Sequence, residues 1–132
     1  MSVRRLRRGV LGLIVAAPVV VGAVVLGAAS AGAQEYVYEP APQSDLNRIY
    51  RVNRLTGEVG ACQYGIRDGS IGVTLCYPAG EGAAAQTEPG EYGLVASNHE
   101  REGGIFRVNR RTGEMSVCYV LGESVVCTPP AR

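Results

Sequence analysis

Ile49-Tyr-Arg-Val-Asn-Arg-Leu-Thr-Gly-Glu58 returns 56 residues later as Ile105-Phe-Arg-Val-Asn-Arg-Arg-Thr-Gly-Glu114, and no other feature constrains the fold as tightly. The same offset carries Glu35-Tyr36 onto Glu91-Tyr92 and Cys62 onto Cys118 without a gap. A period of this length marks a repeated supersecondary unit that cannot bury its apolar face alone and needs its neighbour to do so.

Within the first copy Tyr50, Val52, Val59 and Ala61 alternate with Arg51, Asn53, Glu58 and Gly60, the period of two expected of a strand with one buried face. The second copy keeps the pattern with Phe106, Val108, Met115 and Val117. Between the strands lies Asn-Arg-x-Thr-Gly, in which Asn bonds its own downstream backbone and Gly supplies the left-handed residue that closes a four-residue loop. Each copy therefore contains a hairpin. With a loop of Arg54 to Gly57, Asn53 faces Glu58 and Arg51 lies diagonal to it, a polar patch opposite the apolar face.

A third strand follows. In the second copy Leu121-Gly122-Glu123-Ser124 places Gly first in a two-residue loop, which fixes Leu121 against Ser124 and Cys118 directly opposite Cys127. That pair falls on a non-hydrogen-bonded site with Cα atoms about 4.5 Å apart, a separation suited to a disulfide. In the first copy a two-residue turn at Asp68-Gly69 puts Cys76 one position out of register with Cys62, so a bulge near Gly65 or Gly72 is expected. The pairings 62–76 and 118–127 are favoured, with 62–118 and 76–127 as the alternative among three connectivities. Cys62, Cys76, Cys118 and Cys127 form no Cys-x-x-Cys knuckle, which argues against a four-cysteine zinc site; no metal or cofactor is expected.

A leading strand over Glu35 to Tyr38 and over Glu91 to Ser97 completes a meander of three to four strands per copy. The chain then reads as a single all-β domain, 34–132, made of two antiparallel repeats (35–78 and 91–129) packed as a small sandwich or flattened barrel and stapled by disulfides. The intervening 78–90 lacks apolar periodicity and reads as a flexible Gly/Ala/Pro linker. The expected core is Tyr50, Val52, Val59, Ala61, Val73, Leu75, Tyr77, Leu94, Phe106, Val108, Met115, Val117, Tyr119 and Val126.

Residues 1–33 read as an export signal: Arg4, Arg5, Arg7 and Arg8 precede an apolar run from Gly9 to Ala29 that ends in Ala31-Gly32-Ala33. Cleavage is expected before Gln34, leaving the chain periplasmic or secreted. The alternative is an uncleaved inner-membrane anchor over 9–33, long enough to span ~30 Å of hydrocarbon. Removal of the leader leaves nine arginines against 12 acids, a net charge of −3, and no basic stripe to follow phosphates. Nucleic acid is thereby excluded as an expected partner. An even cysteine count in an exported chain fits a disulfide framework, and the absence of lysine fits the compositional bias of a GC-rich bacterial genome.

The motif Gly/Glu-x-Tyr, a short gap, then Phe-Arg-hydrophobic-Asn/Asp-x-x-Thr-Gly resembles the blade-like β repeats of bacterial exported proteins, some of them propellers. The resemblance covers 35–64 and 91–120 and identifies no named family. Two copies do not close a propeller, which takes 4–8 blades, unless several chains assemble.

Candidate ligand contacts are few. Arg51 and Arg107, with Arg54 and Arg110, could clamp an anion, but ordinary solvation of arginine beside Glu on the outer face of a strand, with the turn explaining the motif, is the preferred reading. Arg67 with Tyr64, Tyr77 and Tyr119 suits a contact surface for protein or carbohydrate. His99, the only histidine, lies in a loop beside Glu100 and Glu102 and has no counterpart in the first copy, where Gln43 stands. No phosphate-binding glycine loop, Gly-x-Ser-x-Gly or paired-histidine motif is present. The function expected is therefore a non-enzymatic exported binding or interaction module of the bacterial envelope. A small inhibitor of a hydrolase is the alternative, and an enzyme using His99 a further one.

Overall fold

The structure is a computed structural model that describes residues 35–132, together with Gly12; the expected leader, its expected cleavage before Gln34 and the alternative anchor over 9–33 lie, Gly12 apart, outside the described residues. Among those described, no helix is long and apolar enough to cross a membrane.

Among the described residues eight strands follow one another: β1 (Tyr36–Pro40), β2 (Arg48–Asn53), β3 (Val59–Gly65), β4 (Val73–Tyr77), β5 (Tyr92–Val95), β6 (Ile105–Asn109), β7 (Met115–Leu121) and β8 (Ser124–Cys127). They form two separate four-stranded antiparallel sheets in sequence order, β1-β2-β3-β4 and β5-β6-β7-β8, one per repeat. No ladder joins the sheets, so the arrangement is a sandwich and not a closed barrel.

The repeated hairpin forms as its residues dictate. Asn53 N donates to Glu58 O at 2.9 Å, while the Asn53 side-chain oxygen accepts from Leu55 N and Thr56 N at 2.9 and 3.0 Å. Asn109 repeats this with Glu114 O and Arg111 N. Gly57 and Gly113 close the two loops at φ +74° and +77°, a conformation that a Cβ opposes. As expected, Asn53 faces Glu58 and Arg51, opposite Gly60, lies diagonal to Glu58; the Arg51 guanidinium also stacks 5.1 Å from the Tyr36 ring centroid.

Both disulfides pair within a repeat, Cys62 with Cys76 and Cys118 with Cys127, each with Cα atoms 4.0 Å apart. In the second copy Leu121 faces Ser124 and Cys118 faces Cys127, as the two-residue turn requires. In the first copy no bulge is needed. Gly65 pairs with Val73, so a loop over 66–72 replaces the two-residue turn and brings Cys62 directly opposite Cys76. Two disulfides fit an oxidising, exported environment.

Residues 78–90, expected as a flexible linker, are laid against both sheets. Gly80 N donates to Val125 O at 2.7 Å, Cys127 N to Glu81 O at 2.9 Å, and Val59 N to Ala83 O at 2.8 Å. Ala83 is fully buried. Side-chain periodicity is absent because the backbone makes these contacts, and small residues let it approach closely.

The choice of buried face departs from the sequence reading in the second repeat, and the first repeat departs from it only along β4. Partners across an antiparallel ladder share a face, so Tyr50, Val52, Val59 and Ala61 line the inner face of the first sheet, and all four are buried. In the second sheet the inner face is the opposite one: Leu94, Ile105, Arg107, Ser116, Cys118, Val125 and Cys127 are buried. Phe106, Val108, Val117 and Val126 are only half-buried, and Met115 and Tyr119 are exposed. In the first sheet Val73 and Tyr77 are half-buried and Leu75 is exposed at its margin. The repeats thus stack front to back, and equivalent residues meet opposite fates.

Candidate functional site

Antiparallel order sends the loops to two ends of the sandwich. One end carries 41–47, 66–72, 96–104 and the 122–123 turn; the other carries the two Asn-x-x-Thr-Gly loops, 78–91 and the tail 128–132. Arg67 and His99 therefore belong to the same end, in different loops.

At that end Ser44 N donates to Glu100 O at 3.3 Å, tying the β1–β2 loop to the β5–β6 loop. An open groove of about 480 Å³ runs between them, lined by Gln43, Ser44, Asp45, Glu100 and Arg101. His99 is exposed; its backbone N–H bonds Ser97 Oγ at 3.3 Å and its carbonyl accepts from Glu102 N at 2.9 Å. The two carboxylates near it are split. Glu102 Oε1 accepts from Gly104 N at 2.8 Å, whereas Glu100 lines the groove with Asp45.

The loop over 66–72 has a different chemistry. Ile66 and Ile71 are 73% and 94% exposed, flanking Arg67 and Asp68, and Tyr64 at its root is 55% exposed. The disulfide 62–76 closes the base of this hairpin. Leaving two isoleucines in water forgoes roughly 1.5–3 kcal/mol each in burial, which makes them notable on a small domain. Tyr77 lies apart from that loop, half-buried beneath Arg48 at 5.4 Å, and Tyr119 lies on the other sheet.

The arginines of the repeated motif do not converge. Arg107 is 3% exposed and spent on structure: its Nη1 donates to Gly57 O at 2.9 Å and its Nε to Ser116 Oγ at 3.2 Å. Burial pulls its guanidinium pKa down from the ordinary value. Arg51, its equivalent, is exposed on the far side of the first sheet. A clamp using both is therefore not assembled.

Sequence reasoning missed a second groove, at the opposite end. Glu35, Asn53, Arg54, Leu55, Gly90, Glu91 and Arg111 line an open space of about 570 Å³ between the repeats. The signal available was the duplicated Glu-Tyr pair together with Arg111, which stands where the first copy has Leu55. Among the described residues no cluster of His, Cys, Asp or Glu has the arrangement to hold a metal ion.

No family model fits the chain, and neither a curated protein sequence nor a solved structure matches it.

Proposed function

We propose that this chain is an exported, non-enzymatic binding module of the bacterial envelope, which engages a protein or carbohydrate partner through the loops at one end of its sandwich. The observation that carries the reading is the pair Ile66 and Ile71, held out in water beside Arg67 on a disulfide-closed hairpin. An exposed apolar pair next to a cation is how a contact surface with a polar rim is built. The arginine-led apolar leader and its small-residue end supply the route of export. Replacing Ile66 to Ile71, which removes both isoleucines with Arg67, and Asn98 to Glu102 with Gly/Ser segments is expected to preserve the fold and both disulfides while abolishing cross-linking to envelope partners. Cross-linking retained after both replacements would count against the reading.

A second reading uses the same hairpin. A short loop pinned at its base and carrying Ile66-Arg67 suits a small inhibitor that places one anchor side chain in the cleft of a hydrolase. Stoichiometric loss of activity when the protein is titrated against envelope hydrolases identifies this case. The enzymatic reading rests on His99, and a broad hydrolase screen that His99→Ala leaves unchanged would retire it.

A further inference from the structure

We infer that the protein self-associates head to tail, the outer face of the second sheet in one copy receiving the outer face of the first sheet in the next. The inference concerns the faces of the sandwich and stands apart from the loop-end binding proposed above.

The internal junction is the template. Front-to-back stacking of two repeats joins unlike faces, a heterologous contact, and such a contact leaves one copy of each face unused. The face of the first sheet that is buried internally holds Tyr50, Val52, Val59 and Ala61; its equivalent in the second sheet is Phe106, Val108, Met115 and Val117, facing outward. Val95, Tyr119, Leu121 and Val126 share that outward face by register. Val95, Met115, Tyr119 and Leu121 are 52%, 47%, 38% and 61% exposed, so the face is both apolar and uncovered by the described residues.

The complementary face is equally present. The inward face of the second sheet holds Tyr92, Leu94, Ile105, Arg107 and Cys118; its equivalent on the outside of the first sheet is Tyr36, Tyr38, Ile49, Arg51 and Cys62. Ile105 is fully buried, and Ile49 is 44% exposed.

Three details of the internal junction have matching, unfilled counterparts. The Tyr92 ring lies against Gly57, where a Cβ would come within 2.9 Å of it, whereas a Cβ on Gly113 would meet nothing within 4 Å. Arg107 donates to Gly57 O, and among the described residues no side chain bonds Gly113 O. Val59 N bonds Ala83 O and Met115 N bonds Ala131 O, so the tail reproduces the linker's path; yet Ala83 is buried and Ala131 exposed. A depression of about 300 Å³ lined by Phe106, Met115, Val117, Pro129 and Ala131 lies where the first sheet receives its partner. A second copy would bring Arg51 to Gly113 O and Tyr36 over Gly113, repeating the contacts of Arg107 and Tyr92. One contact is not reproduced: Tyr50 Oη donates to Gly103 O at 2.6 Å, and Phe106 has no hydroxyl.

The test uses the full chain, produced in an oxidising compartment, with sedimentation velocity as the readout. Wild type is expected to sediment as an assembly larger than one chain. Ile49→Glu and Met115→Arg each place a charge on one of the two faces, and either alone is expected to weaken association by at least about thirtyfold. Each variant retains the face that the other has lost, so mixing them is expected to give a capped one-to-one pair. An isologous interface cannot produce that pair. Tyr38→Glu and Tyr119→Arg replace either variant that loses the native circular dichroism or its disulfides. A wild-type monomer at the highest soluble concentration, an assembly that both variants leave intact, or a mixture that stays dispersed would each overturn the inference.

Discussion

Arg51 and Arg107 occupy the same place in the same motif, yet one lies in water against Tyr36 and the other is sealed between two sheets. The same inversion runs through Ile49 and Ile105, Tyr50 and Phe106, and Cys62 and Cys118. Each repeat is a strand set with apolar residues on both faces, and its position in the stack decides which face becomes core. Residue identity sets what a side chain can tolerate, and the neighbour sets what it experiences.

Substitutions at equivalent positions test that contrast most directly. Ile105→Ala should cost about 2–5 kcal/mol in guanidinium unfolding with disulfides intact, while Ile49→Ala should cost under about 1 kcal/mol in dispersed protein. Equal losses would mean that both faces are buried in the single chain. Arg107→Ala should cost about 2–3 kcal/mol, because Gly57 O and Ser116 Oγ lose a charged donor inside the core. Arg51→Ala should stay within about 0.5 kcal/mol.

Tyr50 sharpens the comparison through pH. Burial pushes its phenol up from the ordinary value of 10.0, against the pull of nearby Arg48. Folding therefore favours the neutral phenol. The stability this contributes is whole below the unfolded value and drains away as pH rises from there through the folded value. Tyr50→Phe should cost about 1 kcal/mol at neutral pH through the bond to Gly103 O, and should flatten the alkaline decline. Phe106→Tyr, on the outward face, should change stability by less than about 0.5 kcal/mol and leave that decline unchanged.

The smallest effect is an order of events. Cys76 is exposed and Cys118 fully buried, so mild reductant should open 62–76 before 118–127. Mass mapping of the first species to gain a pair of hydrogens decides it; simultaneous opening would show that the second sheet is as accessible as the first.

Local features were legible because their causes are local. Asn53 and Asn109 dictate their turns through bonds to the next few residues, and Gly122 sets the register that brings Cys118 to Cys127. The turn after β3 misled because Asp68-Gly69 is a strong two-residue signal, whereas the loop runs over 66–72. The linker misled because its order comes from backbone bonds to Val125, Cys127 and Val59, which side-chain patterns do not record. For the candidate site, the loops carrying Arg67 and His99 were identifiable. The withdrawal of Arg107 into the core was not, and the end groove of Arg54 and Arg111 depends on how the two repeats abut.

By itself the sequence determined an apolar run behind four arginines, a duplicated antiparallel unit, the hairpin turns and the 118–127 register. Each follows from composition or from interactions a few residues apart. Only the tertiary structure decided that the repeats stack front to back, that Ile105 and Arg107 are core while Ile49 and Arg51 are surface, and that an apolar sheet face is left outward. The physical reason lies in adjacent apolar residues such as Ile49-Tyr50 and Ile105-Phe106: a strand pleated with period two and apolar on both sides leaves the choice of face to whatever packs against it.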